Sequence, residues 1–118
     1  MNYTVFVEYQ IKESSWEEFL AHIPLIKQSL RQQGPILDHT FLESVEQPYL
    51  VVEIIVVNDK RYVQQLKQLR TASDQGILCE LDRYIQGGRE KIRIWTFSHL
   101  AQDEGGQRGK WLPENQKP

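Results

Sequence analysis

The chain has 118 residues, of which 40% are hydrophobic and 25% are charged, and its formal net charge is −2. This length fits one domain around a single hydrophobic core, and the composition is too apolar for a disordered chain. No apolar run reaches membrane-spanning length, and basic residues are scattered among acidic ones, so the sequence predicts neither a membrane protein nor a nucleic-acid-binding protein.

The first predicted element is a strand over residues 3–11, where β-branched and aromatic residues alternate. The chain enters this strand without the basic and apolar segments of a secretory signal, so we expect a cytoplasmic protein. A helix is predicted from Ser14 to Gly34. Because proline removes one backbone hydrogen bond and clashes with the preceding turn, we expect a kink or break just before Pro24.

Two strand-like runs over residues 36–46 and 49–58 follow, joined by a turn short enough for an antiparallel hairpin. The second run is apolar on both faces apart from Glu53, which is typical of a strand buried on both sides. This pattern predicts that the third strand lies centrally in a sheet.

The rest of the chain predicts a second helix from residue 58 or 59 to residue 73, a short third helix over 77–86 and a fourth strand over 92–100. Residues 1–100 are therefore predicted to form the domain. Residues 101–118 are predicted to form a flexible polar tail, in which only Trp111 and Leu112 are apolar enough to dock on the domain or on a partner.

A βαββαβ order predicts a ferredoxin-like α+β fold, in which an antiparallel four-stranded sheet has the strand order four, one, three, two and helices on one face. The helix-covered face is predicted to carry Val5, Val7, Tyr9, Val52, Ile54, Val56, Ile92 and Ile94. The other face is predicted to carry Phe6, Glu8, Val51, Glu53, Ile55, Arg93, Trp95, Phe97 and His99, with His39, Phe41 and Glu43 from strand two. An apolar face of this size on a monomer usually marks an interaction surface, and a second copy is its simplest cover.

The order and lengths of these elements and the doubly apolar central strand resemble the dimeric α+β barrel superfamily, including the antibiotic-biosynthesis-monooxygenase-like domains. The resemblance spans roughly residues 1–100 and lies in pattern rather than in motif. It implies a homodimer in which two sheets pack face to face, with a cleft for a small organic ligand. Members of this superfamily include cofactor-independent monooxygenases, heme-degrading oxygenases, stress-response proteins and domains without known activity.

The sharpest candidate constellation is Glu8, Glu53 and Arg93, which the predicted alternation places on one face of three adjacent strands. Carboxylates in an apolar cleft have raised pKa values unless a cation balances them, and Arg93 is the available cation. A buried ion network at a dimer interface is the alternative to catalysis. A register slip of one residue would scatter the set.

The remaining candidates are aromatic residues and histidines on the same predicted face. The predicted substrate-binding residues are Phe6, Phe41, Glu53, Arg93, Trp95 and Phe97. The predicted proton acceptors are Glu8, His39 and His99, since histidine titrates near neutrality. Interface packing is the alternative role for the aromatic rings, and a structural role is the alternative for each histidine.

The sequence contains no phosphate-binding glycine loop, no zinc motif and no nucleophile elbow, so neither a metal nor a cofactor is predicted. Heme-degrading relatives carry an axial histidine near the second helix, but residues 59–73 contain no histidine, and heme degradation is therefore a minority interpretation. Two hypotheses remain open. The chain is a homodimeric barrel that binds a small organic molecule, with oxygenase chemistry as one outcome, or it is a noncatalytic dimeric binding or scaffold protein.

Overall fold

A four-stranded antiparallel sheet organises the protein, and the computed structural model describes residues 1–72 and 76–100. The strands are β1 (Tyr3–Gln10), β2 (Asp38–Glu43), β3 (Leu50–Val57) and β4 (Arg93–Ser98). They are ordered β2-β3-β1-β4 across the sheet, and every neighbouring pair is antiparallel. The predicted ferredoxin-like α+β fold and its strand order are confirmed.

The helices are α1 (Trp16–Gln33), α2 (Lys60–Ala72) and α3 (Gly76–Glu80), and shorter 3-10 turns span Glu13–Ser15, Leu81–Arg83 and Arg89–Lys91. Helix α2 begins directly after Asp59, whose Oδ1 accepts a hydrogen bond of 2.9 Å from the backbone N–H of Arg61 and so caps the helix. Within the described ranges, no helix has the length and apolar character needed to cross a membrane. The predicted tail, with Trp111 and Leu112, lies outside the described residues.

Helix α1 is continuous through Pro24, so of the predicted kink or break the break is wrong. Phe19, Ile26 and Leu30 are buried on one side of the helix, whereas Pro24 is exposed. The carbonyl group of Leu20, which proline deprives of a partner, belongs to a residue that is 40% exposed. Leu20 and Pro24 thus lie on the solvent-facing side of α1, where loss of one hydrogen bond is tolerated, and the buried side keeps the helix in place.

The two faces of the sheet are set by the pairing of β1 with β3, in which Val7 lies opposite Glu53. Directly opposed residues point to the same side of a sheet. Since Val7 is fully buried under the helices, Glu53 shares that helix-covered side, which we call the inner face. The opposite side is the outer face. The prediction of the faces of β3 was therefore wrong by one residue: Val51, Glu53 and Ile55 lie on the inner face, and Val52, Ile54 and Val56 lie on the outer face.

Strand β2 follows the register of β3, because His39 pairs with Ile55 and Phe41 pairs with Glu53. His39 and Phe41 consequently lie on the inner face, together with Glu43, and their predicted place on the outer face was wrong. A strand that is apolar on both sides, as β3 is, contains no alternation from which the direction of its side chains can be read.

The core lies between the inner face and helices α1 and α2. Its fully buried members from these elements include Val5, Val7, Tyr9, Phe19, Ile26, Leu30, Val51, Ile55 and Leu66. The two helices meet closely where the hydroxyl of Tyr62 donates a 2.7 Å hydrogen bond to the carbonyl of Leu30. A Cβ atom on Gly34 would lie 2.5 Å from the Tyr62 ring, so only glycine fits this contact.

Candidate functional site

A cluster of four polar side chains lies on the inner face, at the centre of the domain. Glu53 comes from the middle of β3, and its partners come from β1, β2 and α2. We call Tyr9, His39, Glu53 and Arg70 the inner cluster; none of the four is more than 3% exposed. Burial of this many polar groups is costly unless they are paired.

Glu53 is the hub of the inner cluster. Its Oε1 atom accepts a 2.7 Å hydrogen bond from Nε2 of His39 and a 2.6 Å hydrogen bond from Nη1 of Arg70. Its Oε2 atom accepts a very short hydrogen bond from the hydroxyl of Tyr9. Three donors from three separate elements thus hold one carboxylate, and this fixes the relative positions of β1, β2 and α2 around β3.

The charges of the inner cluster follow from these contacts. Burial alone would raise the pKa of Glu53, but the charge of Arg70 and the hydrogen bonds from His39 and Arg70 lower it to about 2. Burial opposes the charge of Arg70, but the attraction of Glu53 raises its pKa above the ordinary value. Burial and the charge of Glu53 raise the pKa of Tyr9. The cluster therefore holds a carboxylate, a guanidinium and a neutral phenol.

Three nitrogen atoms of the inner cluster are buried without a hydrogen-bond partner among the described residues: Nδ1 of His39, and Nε and Nη2 of Arg70. Because a carboxylate only accepts hydrogen bonds, Nε2 of His39 carries the proton that points at Glu53. In the neutral ring, Nδ1 then carries a free lone pair. The cluster thus presents one nitrogen of His39 and two nitrogens of Arg70 to which the described residues make no hydrogen bond.

A row of aromatic rings runs from the inner cluster to the start of α1. The ring of His39 stacks on Phe41 with 4.8 Å between centroids, and Phe41 lies 6.2 Å from Phe19. Trp16 continues the row, 5.7 Å from Phe19 and 5.3 Å from Tyr49. Phe41, Trp16 and Tyr49 are only partly buried, so the row connects the cluster to the surface.

Tyr49 sits at the outer end of this row in an unusual backbone conformation. Its φ angle is 67°, which belongs to the left-handed region that a bulky residue rarely adopts. Its N–H donates a 3.0 Å hydrogen bond to Oε2 of Glu43, and its carbonyl accepts a 2.8 Å hydrogen bond from the N–H of Ile11. These bonds hold the residue where its ring meets Trp16.

Most of the predicted site residues do not belong to the inner cluster. They lie on the outer face, where the sequence predicted them. The outer face carries Phe6, Glu8, Arg93, Trp95, Phe97 and His99. Glu8 lies opposite Arg93 in the register, and the Arg93 guanidinium lies over the Trp95 ring, 5.3 Å from its centroid. Glu8 and Arg93 border an open recess of about 730 Å³ that Lys91 also lines.

His99 is exposed at the end of β4, and its Nε2 lies 2.6 Å from Oγ1 of Thr4. Phe6 and Phe97 contact each other edge to face at 5.5 Å. The structure therefore does not bring Glu8, Glu53 and Arg93 together, because Glu53 lies on the other side of the sheet. His39 and Phe41 are likewise separated from the outer-face candidates and lie beside Glu53.

Two members of the inner cluster were not predicted as site residues. Tyr9 was placed on the helix-covered face but not as a hydrogen-bond donor, and Arg70 was not singled out. Its spacing gave a usable signal, because Val63, Leu66 and Arg70 recur at intervals of three and four residues and so share one side of a helix. A charged residue on an apolar stripe requires a buried partner of opposite charge, and Glu53 was the one acid in an otherwise apolar strand. Within the described ranges, no group of three or more histidine, cysteine or acidic side chains is arranged to hold a metal ion.

Comparison with known proteins identifies the fold. A conserved protein from Methanosarcina mazei Go1 superposes with a TM-score of 0.63 at 18% identity, covering 82% of this chain and 91% of that one. A candidate antibiotic biosynthesis monooxygenase from Nitrosomonas europaea gives 0.63 at 11% identity, covering 86% and 92%. A third structure, named as an antibiotic biosynthesis monooxygenase, gives 0.61 at 15% identity, covering 83% and 98%.

No family model and no curated protein matches the sequence. The structural similarities confirm the predicted resemblance to antibiotic-biosynthesis-monooxygenase-like proteins at the level of the fold. At these identities they say nothing about which residues act.

Proposed function

We propose that two copies of this chain pack outer face to outer face as a dimeric α+β barrel, and that each copy binds a small organic molecule at its inner cluster. The observation that carries the binding site is Nδ1 of His39, which is buried without a partner among the described residues. Buried polar atoms are hydrogen-bonded in the great majority of cases. A ligand that donates to Nδ1 and reaches the aromatic row would satisfy this atom.

The dimer is supported by the exposure of apolar side chains on the outer face. Phe97 is 57% exposed, Leu42 is 47% exposed and Trp95 is 44% exposed, and the partly buried Val52 and Ile54 lie between them. Rings and branched aliphatic side chains on one continuous sheet face are typical of an interface core.

The dimer is tested by light scattering during size-exclusion chromatography. The native chain is expected to elute as a dimer at micromolar concentration, and Phe97→Lys is expected to shift it toward the monomer. Leu25→Lys is the matched control, because Leu25 is 49% exposed but lies on α1 and not on the sheet. A monomeric native protein, or equal dissociation of both variants, would contradict the proposal.

The ligand site is tested by soaking crystals with a library of small organic fragments. Fragments bound at the inner cluster are expected to contact His39 Nδ1 and to lie against the Phe41 ring. If every bound fragment lies elsewhere and the cluster holds only water, the inner cluster is a structural ion network and the proposed site is wrong.

A second candidate function is cofactor-independent oxygenation, and the pairing of His39 with Glu53 favours it. A carboxylate on one imidazole nitrogen fixes the tautomer and orients the other nitrogen as a proton acceptor. Two of the structural neighbours carry names of antibiotic biosynthesis monooxygenases. In this reaction, His39 Nδ1 removes a proton from an acidic CH₂ group of the substrate.

The resulting carbanion gives one electron to O₂, and the two radicals combine. The peroxide formed regains the proton from His39, and loss of water leaves a carbonyl group. The balanced reaction is CH₂ + O₂ → C=O + H₂O. The test is oxygen uptake with activated methylene compounds such as 1,3-diketones, together with incorporation of ¹⁸O from ¹⁸O₂.

His39→Gln is expected to abolish the uptake, and His99→Gln, at the exposed histidine of the outer face, is expected to preserve it. The opposite pattern would assign the proton transfer to the outer face. Absence of uptake with every compound would leave the chain as a noncatalytic binding protein.

A further inference from the structure

The recess of about 730 Å³ on the outer face lies at one end of the sheet. It is found where β1 ends and where β3 and β4 begin, and it extends past the strands to the neighbouring connections. Phe97 lies at the opposite end of β4, so the recess is toward the rim of the proposed dimer interface, and we call it the rim recess. Its volume falls within the range of small-molecule sites.

Three charged side chains line the rim recess and are accessible to a ligand. Lys91 and Arg93 are exposed, and Glu8 is partly buried. Although Glu8 lies opposite Arg93 in the register, their side chains form no ion pair with each other. Lys91 likewise has no hydrogen bond or ion pair to a described residue. The recess therefore presents one carboxylate and two cations, with a net charge of one positive unit.

Both cations are held in place through their nonpolar surfaces. The guanidinium of Arg93 lies over the Trp95 ring at 5.3 Å, and stacking of this kind leaves the N–H groups of the guanidinium available. The stem of Lys91 lies across Gly87, where an added Cβ atom would be 2.7 Å from Cγ of Lys91. Gly87 has a φ angle of 82°, which favours glycine. Ordered stems with free charged ends lower the entropy cost of binding.

The charges of the rim recess determine which ligand fits. A carboxylate accepts hydrogen bonds from the guanidinium of Arg93 and the ammonium of Lys91, and its single negative charge neutralises the recess. The Glu8 carboxylate only accepts hydrogen bonds, so the ligand must present a donor to it. A charged amine as that donor would leave one positive charge uncompensated, whereas a hydroxyl leaves none.

The spacing of the strands places this hydroxyl next to the carboxylate of the ligand. Directly opposed residues of antiparallel strands have Cβ atoms about 4.5–5.5 Å apart, so a compact group reaches both Glu8 and Arg93. A carboxylate and a hydroxyl on adjacent carbon atoms form such a group. Leu50 and the stem of Lys91 supply apolar surface for the rest of the molecule.

We infer that the rim recess binds a small 2-hydroxycarboxylate, with the carboxylate on Arg93 and Lys91 and the hydroxyl on Glu8. This site is additional to the proposed ligand site at the inner cluster. The two sites use opposite faces of the sheet, because Glu53 and His39 point to the inner face.

The inference is tested by NMR titration of the native protein with both enantiomers of mandelate, and with phenylacetate and mandelamide. Phenylacetate lacks the hydroxyl of mandelate, and mandelamide lacks its charge. The better enantiomer of mandelate is expected to bind about fivefold or more tightly than phenylacetate and about tenfold or more tightly than mandelamide. The backbone amide resonances of Gly87 and Arg93 are expected to shift, and added salt is expected to weaken the binding.

Two variants test the assigned contacts. Lys91→Gln is expected to weaken mandelate binding by about threefold or more. Lys60→Gln is the matched control, because it removes the same charge from a lysine that lines a different recess, and its affinity is expected to be unchanged. In Glu8→Leu, which lacks the acceptor for the hydroxyl, mandelate and phenylacetate are expected to bind within about twofold of each other.

Four outcomes would overturn the inference. They are unmoved Gly87 and Arg93 resonances at millimolar mandelate, equal binding of mandelate and mandelamide, equal binding of mandelate and phenylacetate, and equal weakening by Lys91→Gln and Lys60→Gln. None of them concerns fragments bound at His39, so the rim recess and the proposed ligand site can fail separately.

Discussion

The inner and outer faces of the sheet differ in how each departs from the usual distribution of polar and apolar residues in a small protein. The inner face carries a carboxylate and contacts a guanidinium and an imidazole, all removed from solvent. The outer face carries Trp95 and Phe97, both substantially exposed. Apolar residues are usually buried and charged residues are usually solvated, so the inner cluster and the exposed rings both lie in environments that are unusual for them.

The difference is what the proposed function requires, in which each face is completed by something other than solvent. On the inner face the charges are mutually paired, and the three nitrogen atoms that have no partner among residues 1–72 and 76–100 require directional hydrogen bonds. On the outer face the exposed groups named above are apolar. They are stabilised by the area that they bury against another apolar surface, not by directional hydrogen bonds. A small polar ligand fits the first requirement, and a second copy of the sheet fits the second.

The largest effect is expected for Glu53→Ala, which removes the central carboxylate of the inner cluster. It leaves Arg70 charged and buried without its partner, and we expect the free energy of unfolding to fall by about 3–5 kcal/mol. Urea denaturation followed by circular dichroism measures the change. The double replacement Glu53→Leu with Arg70→Met removes both charges and is expected to recover most of the loss. The single variants Glu53→Leu and Arg70→Met complete the cycle, and a loss in the double variant equal to the sum of their two losses would show that the pair is not coupled.

Acid titration gives an effect of intermediate size. Because the pKa of Glu53 is lowered from 4.5 to about 2 in the folded state, its contribution to stability is fully present above the unfolded value and is lost as the pH falls through the folded value. The stability difference between the native protein and Glu53→Gln is therefore expected to shrink as the pH is lowered from 4.5 to 2. A difference that is constant over this window would mean that Glu53 is not the titrating group.

The smallest effect is expected on the outer face of the monomer. Leu42 is 47% exposed, so Leu42→Gln buries no new polar group and is expected to change the free energy of unfolding by less than about 0.5 kcal/mol. The measurement requires dilution until light scattering shows monomers. A loss of several kilocalories under these conditions would show that Leu42 packs within the monomer, and the contrast between the faces would weaken.

The fold was predictable because its strongest signals are local. Val5, Val7 and Tyr9 alternate with Thr4, Glu8 and Gln10, with Phe6 as the one apolar exception, and this fixes which side of β1 faces the helices. The order of strands and helices then leaves few topologies. Continuity of α1 was less predictable, because the cost of Pro24 depends on whether Leu20 can bond water, and tertiary packing decides that.

The site could not be predicted, because it depends on the direction of β3. All eight positions of that strand are apolar except Glu53, and an isolated acid is usually assigned to solvent. Its true direction is set by Val7 on one side and Phe41 on the other, through pairings between residues far apart in sequence. Only the placement of Arg70 on the apolar side of α2 indicates that Glu53 points to the inner face. The one-residue error in the predicted faces of β3 separated Glu53 from its partners.

The contact between Gly34 and Tyr62 has a consequence for how this sequence can diverge. A side chain at position 34 would occupy the volume of the Tyr62 ring, and the hydroxyl of that ring joins α2 to the carbonyl of Leu30 on α1. The two positions therefore constrain each other over evolutionary time: a larger residue at 34 requires a smaller one at 62, and that exchange removes the hydrogen bond between the helices. Paired substitution at 34 and 62 in descendants of this gene would record a change in the spacing of α1 and α2.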